Sequence, residues 1–196
     1  MDVEYGLLGP FRVLDDKGAE VQPSAPKVHT LLALLLLNRG QPVIADRIAD
    51  ALWGDKPPRS APNLVHGYVR DLRRQLGKQG ISTVTGGYRL DVPRGSVDAF
   101  RFEDLVRVRR FSEALALWRG PALLEWAEQP WARAIATRFE EERLAALEAR
   151  LTQDIDAGLA SLVIGEIGAL VEEHPLRERW RVLLVKALNA AGRQAE

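Results

Sequence analysis

From Val65 to Leu76 the apolar residues recur with the period of a helix. At about 100° per residue, Val65, Tyr68, Val69, Leu72 and Leu76 fall on one side. Asn63, His66, Gly67, Arg70 and Arg74 fall on the other, with Arg73 and Lys78 at the edges. Ser60 suits the N-cap, and Pro62 sits in the first turn, where its missing N–H costs little. The pattern therefore predicts a helix from Ser60 to Gly77 with one side on a core and one side open. Directly afterwards the period changes to that of strands. STVTGGYRLDV reads as a short hairpin, with the Gly86-Gly87 pair permitting a tight turn.

Upstream, Val3 to Leu8 and Phe11 to Leu14 are short apolar runs parted by Gly9-Pro10, and Asp15-Asp16-Lys17-Gly18 is a turn. With Ala19 to Gln22 they predict a small antiparallel sheet. Pro26 opens a helix, KVHTLLALLLLNRG, closed by Gly40, whose leucines cover most of its circumference and mark it as the central core helix. His29 near its start reads as a partly exposed residue of the first turn. Pro42-Val43 is a brief extended piece. Asp46 to Trp53 is a second helix with Ile48, Ala49, Leu52 and Trp53 inward, ended by Gly54 and Pro57-Pro58. Three helices closed by a hairpin predict a winged helix-turn-helix, with Leu34 and Trp53 in its core.

Beyond Pro93-Arg94-Gly95 the texture shifts to Ala, Leu, Glu and Arg. Helical periodicity covers Phe100 to Val108, Phe111 to Arg119, Trp131 to Ala157, Leu159 to Glu173 and Leu176 to Ala191, with Gly-Pro, Gln-Pro and His-Pro breakers between them. Leu144, Leu147 and Leu151 mark an inward seam. Glu140-Glu141-Glu142 reads as a solvated face, and Trp118, Trp126, Trp131 and Trp180 read as packing residues. Stacked helical pairs make concave surfaces suited to proteins. Two domains are expected, 1–95 and 96–196.

Charge adds direction to this layout. The chain balances 27 cations against 27 acids, yet Arg59 to Arg94 holds seven cations and two acids. Guanidinium can clamp guanine or phosphate with two hydrogen bonds, and an Asn amide can do the same for adenine. A local positive patch on a neutral protein points to a polyanion. The absence of cysteine excludes disulfides, thiolate metal sites and cysteine nucleophiles, and the three histidines show no ligand spacing. No phosphate-binding loop or nucleophile–base pairing stands out, so no enzyme, cofactor or metal is expected. The longest apolar run, Leu31 to Leu37, is too short to span a bilayer, and the N-terminus lacks a signal-peptide layout; no membrane partner and a cytoplasmic location are expected.

Several separated motifs also carry a family likeness. GLLGPFRVLDDKG, the APK that opens the first helix, ADRIADALWGDKPP, VHGYVRDLRRQLG and GGYRLDVP together resemble the DNA-binding half of the Streptomyces antibiotic regulatory protein (SARP) family. LALWRGPAL, QPWARAIATRFEEERLAALEARL and LVEEHPLRERWRVLLVKALNAAGRQAE resemble that family's bacterial transcriptional activation domain. The resemblance implies an OmpR-type winged helix followed by tetratricopeptide-like helical hairpins. It implies a transcriptional activator of an antibiotic or other secondary-metabolite cluster that binds direct repeats in promoter DNA and contacts RNA polymerase holoenzyme in the bacterial nucleoid. Direct repeats would place two copies head to tail, unlike a two-fold dimer, and a homodimer on DNA is kept only as an alternative. Against the family pattern the chain is short near 107–111 and 124–126, and it stops at GRQAE where the family continues with another helix.

On this reading Asn63, His66, Arg70 and Arg74 meet bases or phosphates, Arg59, Arg73 and Lys78 hold the DNA backbone, and Arg89 reaches from the wing. A helical-repeat scaffold whose N-terminal domain docks only to protein is the competing expectation. Residues 1–95 carry the whole positive patch and are expected to fold and bind DNA alone.

Overall fold

The computed structural model describes residues 3–21, 25–76 and 80–192. It is mainly helical with small antiparallel sheets and divides into two compact units. The first gathers the chain up to Asp104 together with Leu117–Arg138; the second gathers Leu105–Ala116 and the chain from Phe139 onward.

In the first unit, strands β1 (Glu4–Gly6) and β2 (Arg12–Leu14) pair antiparallel, and Leu14 bridges Glu20. Gln22 lies outside the described residues. Helix α1 (Pro26–Leu37) starts on its proline and buries Val28 and Thr30 through Leu36, so it is enclosed nearly all round, as its leucine content requires. Strand β3 (Val43–Ile44) leads into α2 (Ala45–Trp53), which buries Ile48, Ala51 and Leu52. Ala49, expected inward, is only half-buried, and so is Trp53. Trp53 stacks on Tyr68 with ring centroids 6.4 Å apart, and the Lys27 ammonium sits 4.9 Å from its ring, so this indole caps the core instead of filling it.

Helix α3 (Ala61–Leu76) follows, with Ser60 at its N-cap position. Strands β4 (Ile81–Val84) and β5 (Gly87–Leu90) form the wing hairpin, and β3 joins them in a three-stranded sheet of order β3-β5-β4. The two adjacent glycines do different jobs. Gly86 takes the turn at φ +76°, whereas Gly87 lies inside β5, where a Cβ would stand 2.0 Å from the Val43 carbonyl oxygen. Only glycine lets β3 approach this closely.

The leading strands are secured by residues far along the chain. Asp98, at the start of α4 (Asp98–Arg107), accepts the N–H of Leu7 at 2.7 Å and of Leu8 at 3.2 Å. Arg119 donates to the same carboxylate at 3.1 Å and to the Pro10 carbonyl at 2.6 Å. Glu125 accepts the Phe11 N–H at 3.0 Å, and the Trp126 indole donates to Thr30 of α1 at 3.0 Å. Burial pushes the Glu125 carboxyl above its ordinary range, with the Phe11 N–H pulling the other way. Glu103 of α4 accepts from Arg39 and from Arg94, the latter at 2.7 Å, with Arg138 3.6 Å away. Burial alone would raise the Glu103 carboxyl, but the bonds from Arg39 and Arg94 outweigh it and hold it below the usual carboxylate range.

In the second unit, α4 ends in a Schellman arrangement, with Arg110 N–H donating to Leu105 and Arg109 N–H to Val106. Arg109 occupies the left-handed position at φ 61°, where glycine is usual. Helix α5 (Phe111–Leu115) is one turn long. The helix expected to reach Arg119 stops there, because the Arg119 N–H is taken in the first unit by the Leu8 carbonyl at 2.8 Å. Of helix α6 (Pro130–Asp156), the residues from Phe139 belong to this unit, and the helix closes on Gly158 at φ +83°. Helices α7 (Ala160–Glu173) and α8 (Glu178–Ala190) form a hairpin whose core joins Leu151, Ile155, Val163, Ile167, Trp180 and Leu183. Leu144 and Leu147 pack against that core as the seam predicts. Exposed Glu141 pairs with Arg177, and Glu140 lies 3.6 Å from Arg143.

Candidate nucleic-acid interface

Helix α3 presents the residues that the periodicity sorts onto its open side. Val65, Val69 and Leu72 are buried. Asn63, His66, Arg70 and Arg74 are exposed, within three turns of one another on one helix. A Cβ built at Gly67 would meet nothing within 4 Å, so the surface beside these side chains is open. Arg70 and Arg59 are exposed and have no hydrogen-bond or ion-pair partner among the described residues. Arg74 has a single, weak one: Asp71, one turn back, at 3.2 Å, with the arginine side chain 71% exposed. A pair so open to solvent is worth little and exchanges readily for a stronger anion.

Three other candidates are placed differently. Arg73 is half-buried; its Nε donates to the Ile81 carbonyl at 3.1 Å and its Nη2 to Thr83 Oγ1 at 2.9 Å. Arg89, on β5, donates to Asp91 at 2.8 Å, with both side chains about half exposed. Lys78 lies outside the described residues. Arg94, counted in the sequence's positive patch, is bound to Glu103 and, at 3.0 Å, to Asp104. Its guanidinium is held above its ordinary range because those two carboxylates outweigh the effect of burial.

His66 carries a further detail. Its Nδ1 lies 2.9 Å from the Pro62 carbonyl oxygen, which can only accept, so Nδ1 bears the proton. Its ring stands edge-on to Tyr88 of the wing at 6.0 Å. Tyr88 is buried, and that burial raises its phenol above the ordinary value while the Arg73 charge lowers it. The sequence pattern did not suggest Tyr88, Thr83 or Ile81. Their alternation along β4 and β5 was visible, but which residue faces α3 depends on a register that the sequence leaves open.

No group of histidine, aspartate or glutamate able to hold a metal occurs among the described residues. No described helix is long and apolar enough to cross a membrane.

Comparison with known proteins matches two families. The Bacterial transcriptional activator domain covers residues 97–196, and the Transcriptional regulatory protein, C terminal, domain covers residues 20–90. Transcriptional regulatory protein EmbR of Mycobacterium tuberculosis is 35% identical over 99% of this chain and 55% of its own length. Regulatory protein AfsR of Streptomyces coelicolor is 36% identical over 99% of this chain but 21% of its own length. Regulatory protein DnrI of Streptomyces peucetius is 31% identical, covering 99% of this chain and 80% of its own length. The chain thus spans about half of EmbR and about a fifth of AfsR. A structure of Mycobacterium tuberculosis EmbR in complex with a low-affinity phosphopeptide superposes with a TM-score of 0.88 at 33% identity, over 99% of this chain and 56% of that one. The fold is accordingly an OmpR-type winged helix followed by tetratricopeptide-like hairpins, and the chain belongs to the Streptomyces antibiotic regulatory protein family of transcriptional regulators.

Proposed function

We propose that this regulator is a sequence-specific activator that reads double-stranded promoter DNA with α3 and the β4–β5 wing. The observation that carries this reading is the open side of α3: Asn63, His66, Arg70 and Arg74 exposed beside an unobstructed Gly67, on a helix whose other side is core. A basic helix flanked by a hairpin suits a major groove with the wing beside it. Arg59, Lys78 and Arg89 are the further DNA-facing candidates, whereas the Arg73 guanidinium is already engaged by β4. Residues 1–95 supply DNA binding and 96–196 supply activation through RNA polymerase holoenzyme. Direct repeats in the promoters of a secondary-metabolite cluster set two copies head to tail, and the site of action is the bacterial nucleoid.

Binding of the full chain to promoter fragments beside its own gene, over a salt series, tests this. Phosphate contacts release counterions, so the logarithm of affinity falls linearly with the logarithm of salt concentration. A chain with no salt-dependent DNA binding is instead a protein-docking scaffold.

A further inference from the structure

Arg73 looks like another DNA-facing cation in the sequence, yet its guanidinium is already engaged. Its two bonds reach alternate residues of β4, Ile81 and Thr83. The ladder bond from the Asp91 N–H to the Gly80 carbonyl sets Ser82 and Val84 toward β5. The Ile81 carbonyl therefore lies on the free edge of β4, the outer strand of the sheet. A planar fork can meet a carbonyl and a hydroxyl two residues apart, which an ammonium cannot reproduce. Across the hairpin Thr83 stands opposite Tyr88, and Tyr88 is the ring against which His66 rests. On the other side β5 is held by β3, and the Ala45 N–H donates to the Gly86 carbonyl at 2.9 Å.

We infer that Arg73 is a positioning residue that clamps the wing to α3 and, through Thr83 and Tyr88, sets the place of His66 on the reading side. This rests on the proposed reading of α3 as the DNA-contacting helix. The clamp uses hydrogen bonds and not net charge, so its contribution is to discrimination between DNA sequences.

Three full-length variants separate the roles. Arg73→Lys keeps the charge and loses the fork, Thr83→Val removes an acceptor and changes no charge, and Arg73→Gln loses both charge and fork. The probes are the promoter fragment that the wild type protects and a random duplex of equal length. In Arg73→Lys and Thr83→Val the ratio of the two affinities should fall about three- to ten-fold, as expected for one or two lost hydrogen bonds. Binding to the random duplex and its salt slope should not move. Adding His66→Ala to Thr83→Val should cost less than His66→Ala costs alone. Simple destabilisation would lower both affinities together and leave the ratio intact.

If Arg73 instead meets phosphate, Arg73→Lys and Thr83→Val keep the wild-type ratio and Arg73→Gln lowers the salt slope by about 0.9. That outcome overturns the clamp. Amide exchange along β4 gives an arm that needs no DNA. Exchange should quicken in both conservative variants, and unchanged exchange would overturn the clamp even if the wild type bound no DNA. Failure of the wild type to bind either duplex, with quickened exchange in the variants, would reject the functional reading while leaving the clamp in place.

Discussion

The arginines of this protein fall into two groups that the sequence writes in the same letters. Arg39, Arg94 and Arg119 are tied to Glu103, Asp104 and Asp98, so their charge is neutralised where it stands. Arg59 and Arg70 are exposed without such a partner among the described residues, and Arg74, itself exposed, has only the half-buried Asp71 one turn back. The first group closes joints between segments distant in the chain. The second is a set of exposed cations with at most one weak local partner, Asp71, among the described residues. A positive stretch therefore overstates a binding surface: Arg94 and Arg73 both lie in it, and both are committed inside the fold. What marks a candidate contact is charge together with exposure and the lack of a strong partner.

The largest expected effect comes from cutting the joints. A fragment of residues 1–95 keeps α3 and the wing but loses Asp98, Arg119, Glu125 and Trp126, which hold Leu7, Leu8, Pro10, Phe11 and Thr30. The structure thus alters the expectation that this fragment folds alone. It should lose about 5 kcal/mol or more relative to the full chain, which is the scale of a whole small domain's stability. Urea melts followed by circular dichroism would show this. A fragment as stable as the intact chain would break the distinction between joint and surface.

Asp98→Ala makes the same cut at one residue. Its carboxylate accepts two backbone N–H groups and the Arg119 guanidinium, and its side chain is 13% exposed. Removal should destabilise the protein by about 3 kcal/mol, since the partners are left without an acceptor. DNA affinity of the folded fraction should keep its salt slope. A lower slope with unchanged stability would move Asp98 into the wrong group.

Much of this arrangement is legible in the sequence, and the rest is hidden there for one common reason. The two sides of α3, the leucine-rich α1 and the Leu144–Leu147–Leu151 seam all follow from local periodicity. Pairings over 90 or more residues, such as Leu7 with Asp98 or Phe11 with Glu125, leave no local mark. The same cause shortened α5, because a distant carbonyl at Leu8 claims the backbone of Arg119. The sequence places Gly87 in the turn, because its real constraint, the Val43 backbone, lies on another strand. At the interface, exposure of Asn63, His66, Arg70 and Arg74 was foreseeable from helix geometry, whereas the engagement of Arg73 required the wing register.

The surface group is sharpened by Arg70→Ala and Arg74→Ala. Each should cost about 1–3 kcal/mol of specific DNA binding if its fork meets a base edge. Neither should shift the melting temperature, because neither side chain supports the core. Wild-type binding by both variants would remove α3 as the reading helix.

Gly67→Ala tests the smallest effect and distinguishes surface from joint most cleanly. Gly67 lies inside α3, where glycine costs about 0.5–1 kcal/mol relative to alanine through backbone entropy. Its backbone is not in the left-handed region, and the added methyl would meet open space. In the free protein the substitution should therefore stabilise by about that amount, raising the denaturation midpoint. Gly87→Ala, by contrast, forces a methyl onto the Val43 carbonyl and should destabilise. If DNA lies close against α3 at Gly67, the stabilised variant should nonetheless bind it more weakly, since the methyl occupies the space of approach. Greater stability with lower affinity would separate the surface from the fold within one residue. Greater stability with unchanged affinity would mean that DNA does not come near this turn of α3, and would confine the contact to the Arg70–Arg74 end of the helix.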